Sequence, residues 1–199
     1  MAKDFYTAVA ERRSVYGISK DIDVSEEKIR EILEHALKYA PSAFNSQSTR
    51  MVLLLGPQHD KLWEMVKDAL RKIVPEEVFE ETAEKIDAFR SGYGTVLFFE
   101  DQKVLQSLQS QFPSYKNNFP VWSHHTSGMH QFIVWTALEL EGLGASLQHY
   151  NELIEDQVKE EWNLPDHWKL IAQMPFGKPT AQPGPKEMQP PADRMRVFK

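Results

Sequence analysis

Six of the twelve prolines in this 199-residue chain fall between Pro175 and Asp193, with two glycines among them. A backbone so poor in N–H donors cannot join a helix or a central strand, so the stretch predicts an extended arm. The arm ends in Arg-Met-Arg-Val-Phe-Lys at 194–199, which alternates like an edge strand and has nothing of its own to pair with. Pairing with the sheet of a second copy is the economical reading. The chain then divides into a domain over residues 1–174 and an arm over 175–199 that completes a homodimer.

Ahead of the arm, helical periodicity alternates with short apolar runs. Residues 4–13 place Phe5, Ala8, Val9 and Arg12 at helical spacing. Ser25 stands as an N-cap before Glu26 and Glu27, and Ile29, Ile32, Leu33, Ala36 and Leu37 form a stripe that Pro41 ends. The runs 51–55 and 95–99 read as strands buried on both faces. Two acidic amphipathic helices lie between them, one carrying Leu62, Val66 and Leu70, the other starting at Pro75 with Phe79, Ala83 and Ile86. Residues 127–140 form an unusually apolar helix suited to the core or to an interface. A glycine turn at 142–144, a strand at 145–148, a polar helix at 151–162 and a last core strand at 168–175 complete the series.

Composition narrows the chemistry. The chain has no cysteine, which removes disulfides, a thiolate nucleophile and sulfur-based zinc sites, so redox chemistry would need a bound cofactor. Twenty-nine acidic residues against twenty-three basic ones give a net charge of −6, which sets nucleic-acid binding aside. No apolar run approaches the ~20 residues needed to cross a bilayer, so no membrane role is expected and the default address is cytoplasmic.

Three polar constellations could carry function. Arg12-Arg13-Ser14, at a helix end, could grip a phosphate bidentately, or the arginines could simply complement the helix dipole. Pro41-Ser42-Ala43-Phe44-Asn45-Ser46-Gln47 offers amides and hydroxyls that could read a planar ring or a sugar chain, or could be turn chemistry alone. Gly142-Leu143-Gly144 feeds a strand ending in Leu147, Gln148 and His149, at the kind of strand end where ligands sit, though the glycines alone would suit a helix C-cap. His124, His125 and His130 are spaced by one, five and six residues, which is not the i, i+4 pair of a helical zinc site, so no metal is expected. No Gly-x-Ser-x-Gly elbow occurs. Trp122 is the better pocket candidate among the aromatics.

In their order along the chain these pieces resemble the nitroreductase family: Arg12-Arg13-Ser14, Pro41-Ser42 with Asn45 and Gln47 before the first core strand, Gly142-Leu143-Gly144 before another, and Pro175-Phe176-Gly177 leading to the arm. Phe-Pro-Val-Trp-Ser at 119–123, Gly-Met-His-Gln at 128–131 and Glu-Gly-Leu-Gly-Ala-Ser-Leu-Gln-His-Tyr-Asn at 141–151 look like the compact subgroup named after a yeast fatty-acid-repression mutant.

The resemblance implies an α+β fold in α/β/α layers, with a mixed central sheet flanked by helices and FMN bound at a dimer interface. Arg12, Arg13 and Ser14 would bind the FMN phosphate and the pyrimidine side, and Lys186 would approach the phosphate from the arm. Pro41, Ser42, Asn45 and Gln47 would come from the other subunit to the ribityl chain and ring. Leu147, Gln148 and His149 would lie along the isoalloxazine with backbone groups near N5. Arg194 or Arg196 would add a phosphate contact, and Lys85, by position alone, is a candidate for the ribityl or N1 side. The implied activity is hydride transfer from NAD(P)H through flavin N5 to a small-molecule acceptor of the nitroaromatic or quinone type, with no side-chain acid or base required. The rival is a non-enzymatic FMN-binding regulator of stress or lipid response.

Overall fold

The Ser25 cap forms as its sequence context predicts: in the computed structural model, which describes residues 3–199, its hydroxyl accepts the Lys28 N–H and starts α2 (Glu26–Tyr39). Before it come α1 (Phe5–Glu11), capped by the Asp4 carboxylate, and the two-residue β1 (Ile18–Ser19). After it come β2 (Thr49–Leu55), α3 (Pro57–Arg71), α4 (Glu76–Arg90), β3 (Gly94–Asp101) and α5 (Gln102–Gln111). The chain continues with α6 (Phe119–Leu140), β4 (Gly144–Ala145), α7 (Asn151–Glu161), β5 (Trp168–Pro179) and the single turn α8 (Pro191–Arg194).

The sheet runs β1-β5-β3-β2, with β4 also on β5, and every ladder is antiparallel. The layered α+β class stands, while the parallel part of the expected mixed sheet is reduced to one bridge, Ser14 to Ala145. The central strand β3 is buried along its whole length. Alternation sends Leu97 and Phe99 toward α3, α4 and α7, and Val96 and Phe98 toward α2 and α6. At about 1.5–3 kcal/mol for each large apolar side chain fully removed from water, these two clusters drive the fold. No helix among the described residues is long and apolar enough to cross a membrane.

Four details bear on the sequence expectations. β5 does not stop at 175 but continues through Pro179, so the arm starts at Thr180. Pro175 is tolerated because its backbone faces the short β4 side, where only its carbonyl is used, accepting the Ser146 N–H at 3.3 Å. Gly177 admits the close approach of β1, since a Cβ there would strike the Ser19 carbonyl. At the end of the arm Arg194 closes α8, and residues 195–199, expected to pair with a second copy and not within the chain, pair with no strand among the described residues.

β2 is an edge strand of mostly half-buried residues, with Leu54 its only buried apolar side chain, although both of its faces are covered, Val52 and Leu54 packing toward α3 and Met51, Leu53 and Leu55 toward α2 and α6. Finally, α5 has no counterpart in the sequence reading, and α6 begins eight residues before 127.

Candidate functional site

β5 organises the first part of the site. Its Gln173 exchanges both backbone hydrogen bonds with Gln148, at 2.7 and 2.9 Å, and its Pro175 carbonyl takes the Ser146 N–H. Strand alternation then turns the backbone groups of Ala145, Leu147 and His149 to the outer edge. On that edge the Ala145 carbonyl accepts the Val15 N–H at 3.0 Å, which seats Ser14 beside Ala145. The N–H groups of Leu147 and His149 have no hydrogen-bond partner among the described residues. The Arg12-Arg13-Ser14 and 142–149 segments are thus joined at one sheet edge.

Arg12 leaves α1 as its C-cap, and its guanidinium lies 4.3 Å from the centre of the Trp135 ring on α6. Its Nε is buried without a hydrogen-bond partner among the described residues. Burial first, and the neighbouring Arg13 second, push the guanidinium below its ordinary pKa, yet an arginine stays charged under any working condition. Arg13 donates to the Gly184 carbonyl at 3.0 Å, which straps the arm across this edge two residues before Lys186. A cationic pair carrying an orphaned buried donor, beside an unpaired edge of backbone N–H groups, suits an anionic ligand with acceptor atoms on a planar body.

The loop before β2 is built differently. Phe44, Asn45 and Gln47 all have left-handed backbone, with φ of 57°, 50° and 47°. For a side chain such as phenylalanine this costs ~1 kcal/mol or more, so something outside the loop must hold it. The Gln47 N–H donates to the Ser42 hydroxyl at 3.1 Å and its carbonyl accepts from Arg50 at 2.7 Å. Arg50 also donates to the Asp101 carboxylate at 2.9 Å. Phe44 is 48 % exposed and packs on Phe112, Tyr115, Phe119 and Trp122. Trp122 and Phe44 line an apolar cleft of about 400 Å³ with Met129, in keeping with the pocket role expected of Trp122.

Between loop and helix lies a buried polar layer. Glu100, the penultimate residue of β3, accepts from Ser48 Oγ at 2.5 Å and Thr49 Oγ1 at 2.6 Å. Burial raises its pKa, opposed by the two hydroxyl donors. Thr49 Oγ1 lies 3.3 Å from His130 Nδ1, which donates to the Thr126 carbonyl at 2.9 Å, and burial lowers the His130 pKa. His130 lines a cleft of about 300 Å³ with Gln47, Arg50 and Trp168, whereas His124 lines another of about 440 Å³ with Gln131, His149 and Lys169, and His125 the apolar one. The three histidines therefore face three different clefts.

One chain does not bring all the candidates together. Phe44 meets α6 at Trp122 and Arg12 meets it at Trp135, a span of ~20 Å at 1.5 Å per helical residue, while the exit of the loop, at Gln47 and Thr49, reaches α6 at His130. Pro41, Ser42, Asn45 and Gln47 thus form one group, and Arg12, Arg13, Ser14, Leu147, Gln148 and His149 another. Lys186 follows the strapped segment of the arm, while Arg196 turns back to the Ala192 and Met195 carbonyls. Lys85 is exposed on α4 with no hydrogen bond to either group among the described residues. Glu100 went unread in the sequence, although its place directly after the apolar run 95–99 was a signal for a buried acid, and His130, weighed there only as a metal ligand, belongs to this hydrogen-bonded layer.

A model of the nitroreductase family matches residues 9–178. The chain is 34% identical to the nitroreductase FRM2 of Saccharomyces cerevisiae over 186 residues, 92% of each protein. Among solved structures it is similar to nitroreductase CinD of Lactococcus lactis in complex with chloramphenicol, at 44% identity and a TM-score of 0.90, covering 98% of this chain and all of that one. The same relative has been solved in complex with 4-nitrophenol. A Desulfovibrio desulfuricans protein in complex with FMN shares the fold at a TM-score of 0.70 and 20% identity, with 100% of this chain and 99% of that one covered.

Proposed function

The chain belongs to the nitroreductase family of oxidoreductases, and on that footing we propose that it is a homodimer that binds FMN and reduces nitroaromatic or quinone-type acceptors with NAD(P)H. The observation that carries this reading is the Ser14–Ala145 bridge, which joins two arginines to an outward backbone edge at 147–149. FMN, when bound, supplies the hydride chemistry between donor and acceptor. The Desulfovibrio protein supports the cofactor, since the same fold there holds FMN. The 4-nitrophenol complex of the Lactococcus relative supports the acceptor class.

Arg12 and Arg13 would hold the phosphate and the electron-poor side of the flavin, with Lys186 arriving on the strapped arm. Fixed positive charge there favours the anionic reduced cofactor without a proton being moved. The unpaired N–H groups of Leu147 and His149 would orient the ring edge, and Trp135 keeps Arg12 in place beneath. No hydrogen bond or shared cleft among the described residues joins Asn45 and Gln47 to Arg12, Arg13 and Ser14 or to 147–149, which supports their being supplied by the other subunit. Phe132 and Met129 on the exposed flank of α6, with Phe44, are the apolar surface such a dimer would cover.

The purified protein should be yellow with a flavin spectrum and should oxidise NADH or NADPH when 4-nitrophenol or benzoquinone is added. A colourless protein that gains no FMN on titration would overturn the reading. A mixed dimer with Arg12→Ala on one chain and Asn45→Ala/Gln47→Ala on the other should keep one working site in two. Two equally damaged sites would show that the loop acts within its own chain.

A further inference from the structure

We infer that Glu100 is a positioning residue: through Ser48 and Thr49 it clamps the exit of the 41–48 loop, so that Asn45 and Gln47 keep the left-handed backbone from which they act. The inference rests on the flavin reading only for the identity of the ligand; the clamp itself stands on geometry. Glu100 is 1 % exposed and is the strand partner of Thr49, on the sheet face covered by α6. Its two oxygens are taken by consecutive residues, Ser48 and Thr49. On a regular strand consecutive side chains point to opposite faces, so two neighbours reaching one carboxylate require the backbone to turn between loop and strand. That turn is further pinned by the Asp101 N–H, which donates to the Ser48 carbonyl at 2.9 Å.

The charged and titratable groups around Glu100 make the carboxyl an expensive choice. From β2, Arg50 is committed to Asp101 and to the loop carbonyls. From β5, Lys169 stands opposite and is exposed. From α6, His130 touches Thr49 rather than the carboxylate. Among the described residues no cation hydrogen-bonds Glu100. A buried carboxyl without a cation costs stability that a threonine or a glutamine would not, so its return lies in accepting both hydroxyls at once. The residue next to the clamp shows why this matters: Gln47 is held by Ser42 and Arg50, and its left-handed backbone has no glycine to relax it.

The test uses full-length Glu100→Gln and Ser48→Ala beside Thr95→Val, a control that breaks a buried network on the opposite face of the sheet. Each is measured for FMN affinity by fluorescence titration, for the melting temperature of the FMN-free protein, and for hydrogen exchange of the Asn45 and Gln47 amides. Glu100→Gln should weaken FMN binding about tenfold and speed those exchanges to a similar degree, because an amide satisfies only one of the two hydroxyl donors. Ser48→Ala should do so about threefold, and Thr95→Val should leave affinity within about twofold even where it lowers the melting temperature as far. Unchanged affinity in Glu100→Gln, or an equal loss in Thr95→Val at equal stability, overturns the clamp. If Glu100→Gln does not fold, Ser48→Ala carries the same comparison. If the wild-type protein takes up no FMN, the flavin reading falls, and exchange in the FMN-free protein decides the clamp: equal rates in wild type and Glu100→Gln refute it.

Discussion

Both faces of the central sheet are closed by helices, but they bury polar groups in opposite ways. Under α3 and α4 the Trp63 indole N–H donates to Thr95 Oγ1 at 3.0 Å, the Thr95 hydroxyl meets His59 Nδ1 at 2.8 Å, and His59 Nε2–H donates to the Arg90 carbonyl at 3.1 Å. That chain is closed: Trp63, Thr95 and His59 are fully buried, each is satisfied, and none of them lines the clefts around His124 or His130. Under α6 the layer of Ser48, Thr49, Glu100 and His130 is open at its ends, leading to the strained loop on one side and to the Gln47–His130 cleft on the other. A closed network rigidifies a core, whereas an open one holds something that must be held from inside. The first face therefore braces the core, and the second braces the loop that carries Asn45 and Gln47.

The contrast can be broken most forcefully at Trp63. Trp63→Ala removes a fully buried ring and leaves Thr95 without its donor, so unfolding in denaturant should lose about 4 kcal/mol. FMN affinity of the protein that remains folded should stay near wild type; a matching loss of affinity would mean that the faces are not independent.

Acid should act on the same face. Burial, the largest cause, holds His59 at a pKa of about 4 against an ordinary 6.5, so the folded protein keeps it neutral where the unfolded chain takes up a proton. Its contribution is therefore full above pH 6.5 and is lost as the pH falls toward 4, amounting to roughly 3 kcal/mol. Unfolding curves at pH 7 and pH 4.5 should converge between wild type and His59→Gln at the lower pH. A constant difference would place the effect outside this titration.

At the sheet edge the balance reverses. Arg12→Ala should weaken FMN binding by about 1.5–3 kcal/mol, the usual loss for a charge-assisted contact, with little effect on unfolding. Titration showing wild-type affinity would remove this arginine from the site. The smallest effect is expected at Gly128, in the middle of α6, where an added Cβ meets nothing within 4 Å. Gly128→Ala should stabilise the fold by up to ~1 kcal/mol through helix propensity alone. Because Gly128 lines the His124–His149 cleft, a simultaneous fall in ligand affinity would show that a ligand or a partner chain approaches there.

Much of the fold is legible in the sequence. Ser25, the acidic first turn and the Ile29–Leu33–Ala36 stripe announce α2 because capping and periodicity are local properties. α5 escapes such a reading because Gln102–Gln111 is dominated by glutamine and serine with a thin apolar stripe, and its cap is Asp101, which reads as the end of a strand. The first turns of α6 escape it because histidine, serine, threonine and glycine at 123–128 are weak helix formers that packing against α5 and the loop overrides. The prolines mislead at 175–179, where the strand presents their missing N–H groups to a side that needs none.

Most local elements and the linear order of three polar motifs are written in the chain itself, since caps, stripes and turn residues act within a few positions of one another. Which motifs meet is a property of the folded chain. Folding joined 12–14 to 144–149 through one shared strand edge and seated Phe44 of the 41–48 loop on Trp122, about 20 Å along α6 from the Arg12–Trp135 contact. It also turned Glu100, one acid at the end of an apolar strand, into the acceptor of two hydroxyls fifty residues earlier in the chain. Such pairings depend on sheet register and on helix packing, which couple residues far apart in sequence and leave no periodic trace in it.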